Sequence, residues 1–301
     1  MMRLGTRGSK LALAQSRRVA EALGRLGAEV TLATITTSGD RAVMTPPAPN
    51  ATGLFVKELE TALRERRIDL AVHSLKDLTT VLPPGLILGA VLPRDSALDA
   101  LVCRERGRRL DDLPRRARVG TSSPRRRAQL LHYRSDLQVS PLRGNVDTRL
   151  RRLDGGAFDA IVLARAGLTR LGLEQAQPWD IPPEICLPAP GQGALVVEIR
   201  DDDAPTAMLV AALDDPPTRA CVTAERRFLQ ALGGGCHAAV GALARSEGDM
   251  ILLTGAVASP DGRELLRAST QGALTAAVEL GESLARELQG RGADALIEAA
   301  A

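Results

Sequence analysis

The sequence predicts two doubly wound α/β domains followed by a small α+β domain. Three features carry this. Over the first two thirds, short apolar runs alternate with amphipathic stretches, the order that builds sheets from strand–helix units. A proline-rich linker, Pro182-Pro183 through Pro188 and Pro190, precedes the apolar run Ala194 to Ile199, which is patterned like the first segment's strands and returns the chain to that domain. After Pro216-Pro217 the pattern changes to one helix, hairpin-like strands and a closing helix. These shifts set boundaries of 1–93 with 194–214, 98–188, and 217–301.

Arg3 to Thr6 is the first strand. Ser9 caps a helix from Lys10 to about Leu26, and Gly27 stops it. Glu29 to Thr36 is a strand with Val30, Leu32 and Thr34 on one face. Arg41 to Thr52, with three prolines and no period, is a long loop. Phe55 to Arg67 is helical, with Phe55, Leu59 and Leu63 on one stripe. Ile68 to Val72 and Leu86 to Leu92 are short strands. In the second segment Ala117 to Gly120 is a strand, and Ser123-Pro124 forms an N-cap and first-turn pair for a helix through His132. Leu137 to Ser140 is a strand, Asn145 caps a helix ending at Gly155-Gly156, and Ala160 to Leu163 leads into a helix reaching Leu171. Strands separated by helices predict parallel sheets. In the last domain Thr218 to Leu232 is a helix. Turns near Glu247-Gly248-Asp249 and Pro260-Asp261-Gly262 join strands, and a helix runs from Thr275 to Gln289.

With 301 residues, 45% hydrophobic and 25% charged, the chain buries real cores without a metal or disulfide staple. No apolar run spans a membrane, and Met1 to Lys10 is charged with no apolar core of a signal peptide, so a cytoplasmic protein is expected. Net charge is only +3 and aromatics are 2%, which argues against nucleic-acid binding by base stacking. Of 39 basic residues only Lys10, Lys57 and Lys76 are lysines. Genomic composition explains such a bias, and so does a need for bidentate grip on carboxylate or phosphate. Cys103, Cys186, Cys221 and Cys236 form no C-x-x-C pair, so no metal site is read and the default is a reduced, buried thiol.

Chemistry concentrates where strands end, because ligands of open α/β sheets bind beyond the carboxyl ends of strands, at helix N-termini. Four such junctions carry anion-binding groups: Arg7 and Ser9; Thr121-Ser122-Ser123-Pro124-Arg125-Arg126; Arg143-Gly144-Asn145 with Arg149; and Arg165 with Arg170. Together they suit a ligand with many negative groups, while solvated helix-start arginines are the plainer alternative. Against this basic field stands Asp77, in His73-Ser74-Leu75-Lys76-Asp77. It suits either the stabilisation of a transient cation and the shuttling of a proton or the capping of a turn. Cys236 follows Gly233-Gly234-Gly235 and precedes His237. The glycines bring a thiol into a cleft, or simply end a helix.

Taken together, these segments resemble the hydroxymethylbilane synthase (porphobilinogen deaminase) family. The match includes Thr6-Arg7-Gly8-Ser9, Gly53-Leu54-Phe55-Val56-Lys57-Glu58, Ala71 to Asp77, Gly120 to Arg126, Leu142-Arg143-Gly144-Asn145-Val146, Ala166-Gly167-Leu168, Pro190-Gly191-Gln192-Gly193-Ala194 and Gly234-Gly235-Cys236, nearly the whole chain. The resemblance implies two domains similar to type II periplasmic binding proteins. It also implies tetrapolymerisation of porphobilinogen with release of ammonia, on a dipyrromethane cofactor held by a thioether to Cys236. Asp77 is the implied catalytic carboxylate. Arg7, Ser9, Ser74, Lys76, Thr121, Ser122, Ser123, Arg125, Arg126, Arg143, Gly144, Asn145, Arg149, Arg170 and Gln192 are implied to bind the acetate and propionate arms. A monomer that passes its product to uroporphyrinogen-III synthase is also implied. Ala239 stands where many relatives have proline, Arg165 where a small residue is commoner, and the loop 41–52 lacks lysine. The leading alternative is a non-catalytic, two-lobed anion-binding module, which needs neither Cys236 nor Asp77.

Overall fold

The computed structural model describes residues 1–37, 56–233 and 238–299. They form two compact units, Met1–Asp95 with Ala194–Arg219, and Ser96–Gly193 with Ala220–Ala301. The expected C-terminal segment therefore groups with the second sheet. Phe55, the loop 41–52 and Cys236 lie outside the described residues.

The first unit begins with β1 (Met2–Thr6), α1 (Lys10–Arg25), β2 (Val30–Thr34), α2 (Lys57–Arg64), β3 (Leu70–Ser74) and β4 (Leu86–Val91). Ser9 caps α1 as expected, its Oγ accepting from the Ala12 N–H at 3.2 Å. Gly27 follows the helix at φ +85°, a left-handed position that glycine adopts without strain. The second unit continues with β5 (Asp99–Cys103), β6 (Arg118–Gly120), α3 (Pro124–Tyr133), β7 (Gln138–Ser140), α4 (Val146–Asp154), β8 (Ala160–Ala164), α5 (Arg165–Arg170) and β9 (Trp179–Asp180). Its strand order is β7-β6-β8-β5-β9. Ser123 Oγ accepts from the Arg126 N–H at the start of α3. Asn145 occupies the N-cap of α4 with extended backbone, but its side chain makes no cap bond.

The chain then returns to the first unit as β10 (Leu195–Arg200), as the apolar run predicts, and completes a sheet of order β2-β1-β3-β10-β4. The expectation of parallel sheets needs correcting. β1, β2 and β3 are parallel, but β10 runs antiparallel between β3 and β4. In the second unit β6, β7 and β8 are parallel, while β5 is antiparallel to both β8 and β9. No crossover helix connects β10 to its neighbours, because it enters from the other unit. It is therefore free of the constraint that makes strand–helix–strand units parallel.

Both sheets are covered on two faces, which the doubly wound class requires. In the first, Leu4, Leu70, Val72, Leu195 and Val197 pack against Val19 and Leu23 of α1, while Ala71 packs with Leu59, Ala62 and Leu63 of α2. In the second, Leu101, Val119 and Val162 pack with Leu130 of α3, while Ala100, Val102, Ile161 and Leu163 pack with Leu153 and Leu168. Each such leucine, taken fully out of water, contributes about 1.5–3 kcal/mol.

α6 (Ala204–Ala211) closes the first unit, and α7 (Pro216–Ala231) leads into an antiparallel meander of β11 (Val240–Glu247), β12 (Met250–Ala258) and β13 (Leu265–Ala273). The two hairpins turn where the sequence predicts. α8 (Ala277–Gly290) and α9 (Ala293–Glu298) follow, and Phe228 of α7 and Leu284 of α8 share one core with Ile251 and Leu253 of β12. No helix among the described residues is long and apolar enough to cross a membrane.

At Gly281, α8 approaches α7 so closely that a Cβ would stand 2.5 Å from the Ala224 carbonyl oxygen and 2.8 Å from the Phe228 nitrogen. Helix propensity alone favours alanine over glycine by about 1 kcal/mol. Backbone contact of this kind costs about 1–3 kcal/mol and reverses the sign. Gly281→Ala is expected to move the denaturant unfolding midpoint downward, and an upward move would contradict the close approach.

Candidate active site

Because β1 and β3 are parallel, the loops after them leave the same edge of the sheet. The structure brings Arg7, Ser9, Ser74 and Asp77 together there in one pocket, with Gln15, Val56, Val72 and His73 completing the wall. Leu11 and Ala12 of the first turn of α1 also line it, so the pocket lies at the positive end of the helix. Gln15, 5% exposed, donates from Nε2 to Ser74 Oγ at 2.9 Å.

Asp77 ends a single 3-10 turn, Leu75–Asp77, that follows β3. The Leu75 N–H donates to the Ala194 carbonyl at 3.1 Å and the Leu78 N–H to the Leu75 carbonyl at 3.2 Å, and both leucines are buried. The backbone of the turn is thus fixed while the Asp77 side chain is exposed. Its carboxylate accepts no hydrogen bond among the described residues, so it does not serve as a turn cap. Lys76 beside it is exposed.

Beneath the pocket wall lies a buried acid–base pair. His73 Nε2 is 2.9 Å from Glu198 Oε2, with the Glu198 side chain fully buried on β10. Glu60 of α2 is buried nearby, and desolvation together with the Glu198 charge pushes its carboxyl above the usual range.

In the second unit the parallel strands β6, β7 and β8 likewise bring their carboxyl ends to one edge. Thr121 follows β6 and is buried, with its Oγ1 accepting from the Ser123 N–H at 3.2 Å, while Ser122 is exposed. Arg125 and Arg126 turn inward from α3 and are 4% and 6% exposed. Both meet Asp99, which stands at this edge because β5 is antiparallel and begins opposite the end of β8. Arg125 Nη1 donates to Asp99 Oδ2 at 2.6 Å and to the Leu187 carbonyl at 2.8 Å. Arg126 donates from Nε to Asp99 Oδ1 at 2.9 Å and from Nη1 to the Val162 carbonyl at 3.0 Å. Gln192, 1% exposed, adds Nε2 to the same Asp99 Oδ1 at 2.9 Å. Burial alone would raise the Asp99 pKa, but the two guanidiniums win and hold it well below the usual carboxylate range. The neighbouring Cys186 thiol is pushed up to about 12 by burial and by Asp99, so it is inert.

The remaining basic residues of this unit are more open. Arg143 is exposed, and Gly144 turns the chain at φ +108°. Arg149 Nε donates back to the Gly144 carbonyl at 2.7 Å, closing the turn from which the exposed Asn145 starts α4. Arg170 Nη2 donates to the Gly193 carbonyl at 2.5 Å. Arg165 is occupied by the Pro178 carbonyl at 3.4 Å and by Asp180 at 3.6 Å, which argues against a ligand contact there.

Sequence reasoning missed Gln15, Glu198 and Asp99, and noted His73 only as part of the Asp77 segment. A buried carboxylate in each unit was open to detection, since Glu198 interrupts the apolar run Ala194 to Ile199 and Asp99 heads the apolar stretch Ala100 to Cys103.

The family models and the curated relatives agree with one another. Residues 2–208 match the family model described as porphobilinogen deaminase, dipyromethane cofactor binding domain, and residues 219–290 match porphobilinogen deaminase, C-terminal domain. The chain is 50% identical over 297 residues to the porphobilinogen deaminase of Desulforudis audaxviator, covering 98% of this chain and 96% of that one. It is 48% identical over 300 residues to that of Moorella thermoacetica, covering 99% and 96%. Among solved structures, a nutrient binding protein from Burkholderia cenocepacia bound to methionine matches at 16% identity and a TM-score of 0.45, covering 72% of this chain and 93% of that one.

Removing the Asp99 charge leaves two buried guanidiniums uncompensated, so Asp99→Asn is expected to destabilise the protein by about 3–5 kcal/mol at pH 7. A carboxylate whose folded pKa is depressed stabilises above its unfolded value and loses that contribution as pH falls below about 4. Denaturant titrations should therefore show native stability declining below about pH 4 and a shallower decline in Asp99→Asn. A variant within about 0.5 kcal/mol of native at pH 7 would contradict the role given to Asp99.

Proposed function

The chain belongs to the porphobilinogen deaminase family, and from that premise we propose how its residues divide the work. It is a transferase of tetrapyrrole biosynthesis that joins four porphobilinogen units into hydroxymethylbilane and releases ammonia from each. The dipyrromethane cofactor of the family, when bound, supplies the primer on which the rings are assembled.

The donor set fits such a polycarboxylate. The second unit offers exposed Ser122 and Arg143 and the N-terminal turns of α3 and α4 at one sheet edge, all of which prefer an anionic partner. In this reading Thr121, Ser122, Ser123, Arg143, Gly144, Asn145, Arg149 and Arg170 hold the acetate and propionate arms. Arg125 and Arg126, oriented by Asp99 and Gln192, contribute fixed positive charge and whatever N–H edges Asp99 leaves them. Arg7, Ser9, Ser74 and Lys76 bind the arms beside Asp77. Cys236 carries the cofactor through a thioether.

Asp77 is assigned the chemistry. The aminomethyl nitrogen of porphobilinogen leaves as ammonia, and positive charge develops on the ring it leaves. A carboxylate carried on a fixed backbone turn stabilises that charge, and an interaction realised only as the charge develops raises the rate. The observation that carries this assignment is the exposed Asp77 carboxylate, without a partner among the described residues, in a pocket whose other groups are mainly donors. The family reading extends to a cytoplasmic monomer whose product passes to uroporphyrinogen-III synthase. Among the described residues the buried, reduced cysteines Cys103, Cys186 and Cys221 suit a reducing compartment.

Asp77→Asn is expected to keep the cofactor, seen as an unchanged mass increment over the sequence mass, and to lose turnover by about 100-fold or more. Native-like ammonia release from this variant would refute the assignment. Cys236→Ser should lack the increment altogether, and an active native protein with no added mass would exclude Cys236 as the attachment point.

A further inference from the structure

The buried pair beneath the Asp77 pocket has no task in the scheme above. His73 lines the pocket together with Asp77 and Arg7, and its Nε2 is taken by Glu198 at 2.9 Å. Glu198 is fully buried, and its second oxygen, Oε1, has no hydrogen-bond partner among the described residues. Burying a carboxylate with half of its acceptor capacity unmet costs several kcal/mol that an apolar residue in the same strand would avoid. Val196 and Val197 are such residues, buried in the same strand. The charged and titratable groups around the ring are Glu198 from β10, Glu60 from α2, and Asp77 and Arg7 from the pocket rim. Two acids and one base share a dry layer, and the raised Glu60 carboxyl shows that this layer already resists a second negative charge.

We propose that Glu198 is a positioning residue for the reaction: by holding His73 at Nε2 it presents the imidazole to the pocket through Nδ1, as the group that relieves Asp77 of its proton. This rests on the assignment of Asp77. Each condensation breaks the aminomethyl C–N bond, with the bond pair leaving on ammonia, and forms a C–C bond from the methylene carbon to the free α-carbon of the terminal pyrrole. The C–H bond at that α-carbon then breaks, and its pair returns to the ring. The proton so released goes to the Asp77 carboxylate, then to His73 Nδ1, and on to solvent, where ammonia takes it up as ammonium. Asp77 is left ionised for the next unit. A buried carboxylate on the far ring nitrogen stabilises the transient imidazolium and fixes the tautomer that can accept.

Glu198→Gln tests this, because it keeps an acceptor for the Nε2–H and removes only the charge. The chain has three histidines, so the ring-nitrogen NMR signals of His73 are the ones lost in His73→Gln. In the native protein these signals should report one tautomer, with the proton on Nε2, and in Glu198→Ala a mixture of the two. In Glu198→Gln, kcat at neutral pH should fall about 10-fold or more with KM for porphobilinogen unchanged. Glu198→Asp, which restores the charge one methylene shorter, should fall between the two, and it carries the same comparison should Glu198→Gln fail to fold. A native His73 ring protonated at Nδ1 in place of Nε2, or a native-like kcat in Glu198→Gln, would overturn the proposal. Native-like turnover in Asp77→Asn would instead refute the assignment of Asp77, a result separate from the tautomer.

Discussion

The second unit depends on one carboxylate that water never reaches. Asp99 is 0% exposed, and its desolvation is offset only because Arg125, Arg126 and the Gln192 amide converge on its two oxygens. In the proposed function the same contacts order the arginines before the ligand arrives, so up to about 2 kcal/mol of side-chain entropy per arginine is lost in folding and not in binding. The position of Asp99 follows from strand direction. β5 begins at the edge where β6, β7 and β8 end, so its first residue meets the loops that carry the basic groups.

The first unit applies the same geometry to the opposite charge. Its parallel strands deliver Arg7, Ser9 and Asp77 to one edge, and two buried leucines fix the turn that ends in Asp77. Under α2 the sheet carries a polar layer in place of a purely apolar one. Arg200 Nη1 donates to the carbonyls of Leu63 at 3.0 Å and Ile68 at 2.7 Å, closing the end of that helix, while Glu198 engages His73. Polar groups buried this way hold a pocket in a defined arrangement, and that is what stabilisation of a short-lived cation requires.

How much of this is legible in the sequence depends on range. The caps at Ser9 and Ser123 are local hydrogen bonds to backbone N–H groups, and a serine just ahead of each helix announces them. The return of the chain as β10 is announced by an apolar run after a proline linker. Asn145 shows the limit even of local reading, since it takes the N-cap position but leaves its side chain unbonded there. Asp99 is a different case: its partners lie 26, 27 and 93 residues away, and no window of sequence contains them. Arginine abundance hid the same point from the other side. Arg125 and Arg126 match the family motif as ligand-binding residues, but their orientation comes from an acid that only the fold places beside them. Strand direction was misjudged for one reason: the alternation of strands and helices says nothing about a strand that arrives from another unit.

The proposed function gives the chemistry to the acidic sheet edge of the first unit and the carboxylate arms to the basic sheet edge of the second. The most direct measurement is intact-protein mass spectrometry after addition of limiting porphobilinogen, with ammonia measured in the same sample. The account predicts a ladder of equal mass increments on the protein, one ammonia per increment, and a linear tetrapyrrole in solution once the ladder is complete. A protein whose mass never changes, with no ammonia released, would contradict it.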